Sequence, residues 1–256
     1  MMPLSLDKVA EKAPSLLSLA KNASAAVDMS GLNGQTAKVA LVLDFSGSMH
    51  SQYKSGAMQR LAEKVLALAT QFDDDGAIDF FVFDSGAAHL GEISLDDFSD
   101  GVSRLIGKRR MGTTNYAAAF LAVRDHFGFP PASKTPTRKG LFGGPKKVEP
   151  AAGTVPADQP VYALFLTDGA PDSKPAAVKA LTEVSTTPIF WKFLSIGREE
   201  MAFLQKLDDL DERFMDNADY KAVGDTDQLS DVALFDAMLD EYPAWIAEAR
   251  TKGLIR

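Results

Sequence analysis

Four apolar runs constrain this chain more than any other feature: "VALVL" (39–43), "IDFFVF" (78–83), "VYALFL" (161–166) and "IFWKFL" (189–194). They are rich in β-branched and aromatic residues, and three show little alternation. A strand with one wet face alternates; a strand covered on both faces does not. Helical patterns separate the runs. In 53–72, Met58, Leu61, Val65, Leu68 and Phe72 recur at spacings of three and four, so one face is apolar. Further helical patterns occupy 115–128, 173–186 and 199–207. A last one covers 229–251, where Pro243 is placed to kink or split it. Strands alternating with helices imply βαβ units, an α/β class and an open, mostly parallel sheet of about six strands with helices on both faces. "HLGEIS" (89–94) follows the second run after a short turn and reads as an antiparallel edge strand. A sixth strand is expected near "RFMDNA" (213–218).

Two regions fall outside this pattern. Residues 1–36 read as a short amphipathic helical extension broken at Pro14. Residues 129–160 hold seven of the thirteen prolines and five Lys/Arg against two acidic residues. They read as a flexible basic insertion. The insertion joins a helix end to a strand start, which places it at the opposite end of the sheet from the strand C-termini. Residues 226–256 read as a C-terminal helix packing on the domain.

A net charge of −8 argues against binding nucleic acid or anionic membrane through a phosphate field. With no cysteine, the fold uses neither disulfides nor a thiolate zinc site, which fits a reducing compartment. No apolar segment reaches the ~18 residues of a membrane span. The N-terminal stretch lacks the basic n-region and the unbroken apolar core of a signal peptide. The expectation is a cytoplasmic protein with no integral membrane segment and an oligomeric state left open.

The chemistry sits where the first apolar run ends, in "LVLDFSGSMH" (41–50). Ligands of open parallel sheets bind beyond the C-terminal strand ends. In a partly extended loop, residues two apart point the same way, so Asp44, Ser46 and Ser48 can aim three oxygens into one volume. Gly47 lets the loop bend. A carboxylate with two hydroxyls suits Mg²⁺ or Mn²⁺ and not zinc. "GTTNY" (112–116) adds hydroxyls just before a helix, and "FLTDGAPD" (165–172) puts Asp168 at the end of another core strand. Each segment also has an ordinary explanation as a cap or turn; their coincidence at matching strand ends is what favours a metal site.

"DFSGSM", "GTTNY" and "LTDG", in that order, resemble the metal-ion-dependent adhesion site (MIDAS) of von Willebrand factor A (vWA) domains, over about residues 37–225. The resemblance implies a vWA, Rossmann-like fold. It assigns the metal to Asp44, Ser46, Ser48, Thr114 and Asp168, with Thr113 as the alternative threonine. "AKVALVLDFSGSM", "LAEKVLALATQFDDDGAIDFFVFDS" and "LFDAMLDEYPAWIAEAR" are further similar to the A domains of TerF-like tellurium-resistance proteins. That implies a bacterial stress-response setting. The functional expectation is a non-enzymatic interaction module. Its Mg²⁺ (or Mn²⁺ or Ca²⁺) would recruit an Asp or Glu of a protein partner. The alternatives are a Mg²⁺-dependent hydrolase on the same residues, or a scaffold.

No hydrolase motif stands out. The third position of the first motif is Ser46, not the aspartate of D-x-D, and "GVSRLIGKRR" fails the P-loop spacing. His50, His89 and His126 read as scattered, with His50 as a solvent-facing residue at a helix start. The acidic runs 73–76 and 208–212 read as solvated turns.

Overall fold

The computed structural model describes residues 4–133, 148–197, 201–211 and 213–256. The chain opens with α1 (Leu6–Lys12) and α2 (Leu17–Met29), and then enters β1 (Lys38–Asp44). Next come α3 (His50–Lys54), α4 (Ala57–Ala69), β2 (Ala77–Phe83), β3 (Ala87–Ser94), α5 (Gly101–Ile106) and α6 (Tyr116–His126). After the insertion follow β4 (Val161–Thr167), α7 (Lys174–Val184), β5 (Ile189–Ile196), α8 (Ala202–Asp208), β6 (Ala218–Gly224), α9 (Asp231–Leu239) and α10 (Tyr242–Thr251).

The strands form one sheet in the order β3-β2-β1-β4-β5-β6. Every pairing is parallel except β2 with β3, so the antiparallel edge strand is where the short turn required it. The apolar runs lack alternation because both faces are covered. From β1, Val39, Leu41 and Leu43 enter one core, while Ala40 and Val42 enter the other. The first core packs against α1, α2, α4, α9 and α10, the second against α6, α7 and α8. β1 pairs with β2 on one side and β4 on the other. The order therefore reverses at β1, and the crevice at the ends of β1 and β4 is the switch point where such sheets hold ligands.

Two expectations change and one is met. Residues 4–32 are no appendage. Val9, Leu16, Ala20, Ala23 and Val27 are buried in the first core, and Leu4 N donates to Thr70 O at 2.8 Å. The sixth strand begins at Ala218, not near 213. Arg213 is buried in the preceding turn, donating from Nε to Leu210 O at 2.9 Å and from Nη1 to Asn217 Oδ1 at 3.3 Å. The C-terminal helical pattern splits at Pro243, as expected, into α9 and α10, with Pro243 in the first turn of α10, where its missing N–H costs nothing. Tyr242 and Trp245 from that turn pack edge-on and tilted against Tyr162 and Phe190 of the sheet.

Residues 134–147 of the expected insertion lie outside the described residues. Its near ends meet, with Ser133 N donating to Glu149 O at 2.9 Å. Its exit, Pro160, accepts from Lys38 N at the start of β1, at the far end of the sheet from Asp168. The run 73–76 is not simply solvated: Asp73 is buried and ion-paired with Lys38 at 2.5 Å.

Candidate metal centre

β1 delivers Asp44 to the switch point fully buried. The chain then stays extended through Ser46 (φ −81°, ψ 163°) before a short 3₁₀ turn over Gly47–Met49. That conformation brings the hydroxyls of Ser46 and Ser48 to 3.1 Å from each other. Ser48 Oγ in turn donates to Asp168 Oδ1, across from β4, at 2.8 Å. A chain of side-chain oxygens thus runs from Ser46, just past the first strand end, to Asp168 at the end of the fourth. Asp44 and Ser46 are buried, Ser48 is exposed and Asp168 is half-buried, so the run opens to solvent at its middle.

Asp44 is gripped from behind. Ser46 N donates to Oδ1 at 2.8 Å, and Thr167 Oγ1 donates to Oδ2 at 2.6 Å. Tyr53 donates to the Asp44 carbonyl at 2.9 Å. Burial lifts the Asp44 carboxyl to about 6, against the pull of the Ser46 and Thr167 hydrogen bonds, and the charge of Asp168 adds to the rise. Tyr116, at the start of α6, donates to Gly169 O and fixes the loop that carries Asp168.

The third loop is built on close approach. Gly112 exchanges backbone hydrogen bonds with the first loop: its N–H donates to Phe45 O at 3.2 Å, and Gly47 N donates to its carbonyl at 3.3 Å. A Cβ at Gly112 would lie 2.8 Å from Ser85 Oγ and 3.0 Å from Asp84 Cβ, so a glycine is required there. The Arg109–Asp84 ion pair, at 3.0 Å, anchors the approach to this loop. Asn115 caps α6, accepting from Ala118 N at 3.1 Å.

The two threonines have different surroundings. Thr113 Oγ1 donates to Asp172 Oδ2 at 2.6 Å and lies 3.1 Å from Ser85 Oγ. Thr114 is held by its backbone: its N–H donates to Asp172 Oδ2 at 3.1 Å, and its carbonyl accepts from Asp172 N at 2.9 Å. The structure therefore joins Asp44, Ser46, Ser48 and Asp168 by hydrogen bonds. Asp172, on the loop that carries Asp168, holds both threonines, Thr113 by its side chain and Thr114 by its backbone.

The donor set fits a hard divalent cation. Metal–oxygen bonds of about 2.0–2.1 Å put neighbouring octahedral ligands about 3 Å apart. The Ser46–Ser48 and Ser48–Asp168 separations, 3.1 and 2.8 Å, have that size. Both Asp44 oxygens already accept hydrogen bonds, which suits a carboxylate acting at the back of the site, through its charge or a bridging water. Sequence reading missed Thr167, Asp172 and Tyr116. Thr167 and Asp172 were visible only as neighbours of Asp168 in "LTDGAPD". Asp172→Ala frees both threonines, so metal affinity measured by calorimetry is expected to fall by roughly 10–100-fold while the fold persists.

The family model described as "vWA-TerF-like: vWA found in TerF C terminus" matches residues 36–138 and 146–255. "Uncharacterized protein YcbR" of Bacillus subtilis (strain 168) is 34% identical over 237 residues, covering 92% of this chain and 88% of the relative. Among solved structures, proximal thread matrix protein 1 of the mussel byssus aligns at 16% identity and a TM-score of 0.49, over 80% of this chain and 47% of that one. A manganese-loaded TRAP protein of Plasmodium vivax aligns at 18% identity and a TM-score of 0.49, over 80% and 74%. The chain thus spans about half the length of the mussel protein. With the strand order, the three converging loops and a family match over nearly its whole length, this chain belongs to the vWA-TerF-like family, the vWA domains found at the C terminus of TerF.

Proposed function

We propose that this chain is a non-enzymatic interaction module in which Asp44, Ser46, Ser48, Thr114 and Asp168 hold one divalent cation, with Mg²⁺ the expected ion and Mn²⁺ or Ca²⁺ substitutes. The cation recruits an Asp or Glu side chain of a partner protein. The observation that carries this reading is the run of side-chain oxygens Ser46–Ser48–Asp168, backed by buried Asp44 and open to solvent at Ser48. A bound divalent ion there supplies residual positive charge and an exchangeable position for an incoming carboxylate. The protein's own part is to keep the hydroxyls, which carry no charge, at ligand spacing and to keep Asp44 dry behind them. Recognition through a cation also suits an acidic protein, whose net charge of −8 otherwise repels acidic partners.

Among the described residues at the rim, the acid–base groups are engaged in holding the loops, with Asp168 accepting from Ser48 and Asp172 from Thr113, which supports a binding role over hydrolysis. Burial raises the phenols of Tyr53 and Tyr116 above the usual tyrosine range, so both stay protonated at neutral pH. The Asp44 carboxylate is committed to Ser46 and Thr167. A cytoplasmic stress system of the tellurium-resistance type is the proposed setting, supported by the TerF-like family match and by a chain with no cysteine to oxidise.

The test is a calorimetric titration with Mg²⁺ and Mn²⁺, followed by capture from a native lysate with and without chelator. The expected result is uptake of one ion, lost in Asp44→Ala, and a partner released by chelator. No uptake at millimolar ion overturns the reading. Metal-dependent phosphoester turnover that Asp168→Ala abolishes would replace it with the hydrolase. The pH dependence has a defined sign. The ligand form of Asp44 is the carboxylate, and its carboxyl titrates at about 6. Protons compete below that pH, so the apparent affinity falls by up to about tenfold per pH unit between pH 6 and 5, and is flat above pH 7.

A further inference from the structure

His89 and His126, far apart in sequence, meet on Asp79. Their Nε2 atoms each lie 2.8 Å from Asp79 Oδ1, and their ring centroids are 4.0 Å apart. The three donor atoms fall within 4.8 Å of one another. We propose that Asp79, His89 and His126 form a second metal site, of the two-histidine, one-carboxylate type, which takes a transition-metal ion such as Zn²⁺.

A β-bulge makes the convergence possible. On β2 and β3, Asp79 pairs with Glu92 and Phe80 with Gly91, and the register then shifts so that Phe81 pairs with His89. An unbroken ladder would pair His89 with Val82 and turn its ring to the opposite face of the sheet. The extra residue, Leu90, moves His89 onto the face shared by Asp79 and Phe81, which is the face that α6 covers. Gly91 has φ +128°, a conformation other residues avoid. His126 arrives from the last turn of α6, edge-on to the Phe81 ring at 5.2 Å, and His89 packs on the same ring at 4.8 Å. One aromatic floor therefore orients both imidazoles.

The donor chemistry differs from that of the first site. Two imidazole nitrogens and one carboxylate suit zinc and its transition-metal neighbours, where the hydroxyl-rich rim suits Mg²⁺. Three protein ligands leave a coordination position free. The side chains of His89 and His126 are 28% and 31% exposed, and Asp79 and His126 line a cleft of about 170 Å³ with Glu92 and Phe127. The two sites are physically separate. Asp44 pairs with Phe83, four residues further along β2 than Asp79, and α6 runs its length between Asn115 and His126.

The experiment uses the full chain carrying Asp44→Asn, with saturating Mg²⁺ present, so that the first site cannot report. Zn²⁺ is titrated by calorimetry and by NMR of the imidazole resonances. The expected result is one Zn²⁺ per chain, with the His89 and His126 resonances shifted and those of exposed His50 unmoved. His89→Gln and His126→Gln each lower the affinity by at least roughly 100-fold, as loss of a direct ligand should. Co²⁺ bound there shows the visible bands of a nitrogen-ligated ion of low coordination number. Resonances of His89 and His126 that stay fixed at millimolar Zn²⁺ overturn the proposal, and so do variants that bind zinc as tightly as the parent. If either variant fails to fold, the NMR titration of the parent decides alone. Failure here leaves Mg²⁺ uptake at Asp44 untouched, and failure of that uptake leaves this site untouched.

Discussion

Asp44→Asn is expected to melt higher than the unsubstituted protein in chelator at pH 7.5, and to lose the stabilisation that Mg²⁺ or Mn²⁺ gives. The two effects have one cause, a carboxylate buried without a counter-charge. Its folded pKa is about 6, against an ordinary 3.8. A folded pKa raised above the unfolded value means that folding takes up a proton between the two. The group's contribution to stability is complete below pH 3.8 and is lost as pH rises through about 6. Two pKa units correspond to about 3 kcal/mol of strain in the ionised, metal-free protein. Asparagine keeps the acceptor for Ser46 N and offers an N–H to Thr167, so it removes the charge without orphaning either partner. At roughly 2–4 °C per kcal/mol for a chain of this size, the melting temperature rises by about 5–10 °C. The advantage of asparagine shrinks toward pH 4. In the unsubstituted protein, ion at about 100 times its Kd returns about 2.7 kcal/mol. A variant that melts no higher than the parent, or that still responds to the ion, contradicts this account of Asp44.

Lys192→Met should be among the most damaging single substitutions in the chain. Lys192 lies in the middle of β5, fully buried, and its ammonium pairs with Asp219, its register partner on β6. Burial pushes the Lys192 pKa down against the pull of Asp219. Removing the cation leaves Asp219 buried and unpaired, close to Asp208 and Glu241. Breaking such a pair costs about 3–5 kcal/mol, whereas replacing both charges by apolar groups of similar volume is often near neutral. The double variant Lys192→Met, Asp219→Leu should therefore recover most of the loss in denaturant melts. A double variant as unstable as the single one would show that the pair does more than neutralise itself.

The same residue shows what sequence reading could and could not reach. "IFWKFL" was legible as a covered strand despite its lysine, because the flanking residues left no wet face. The partner that makes Lys192 tolerable was not legible, because β6 was placed near 213–218. It begins at Ala218, after a turn held by Arg213. Asp44, Ser46, Ser48 and Asp168 could be named because a strand end followed by alternating oxygens is a local pattern. Asp172 and Tyr116 act through contacts between loops that no spacing encodes. His89 and His126 looked scattered because their meeting depends on a bulge that shifts the β2–β3 register. A one-residue offset of that kind leaves almost no mark on the hydrophobic pattern.

The central claim is that three loops at one rim of the sheet enclose a single divalent ion. Anomalous diffraction from crystals grown with Mn²⁺ tests it most directly. The account predicts one peak at the rim, roughly 2 Å from the Ser46 and Ser48 hydroxyls and bordered by Asp168. Density that shows no manganese there, with Ser48 still donating to Asp168 at millimolar ion, would contradict it.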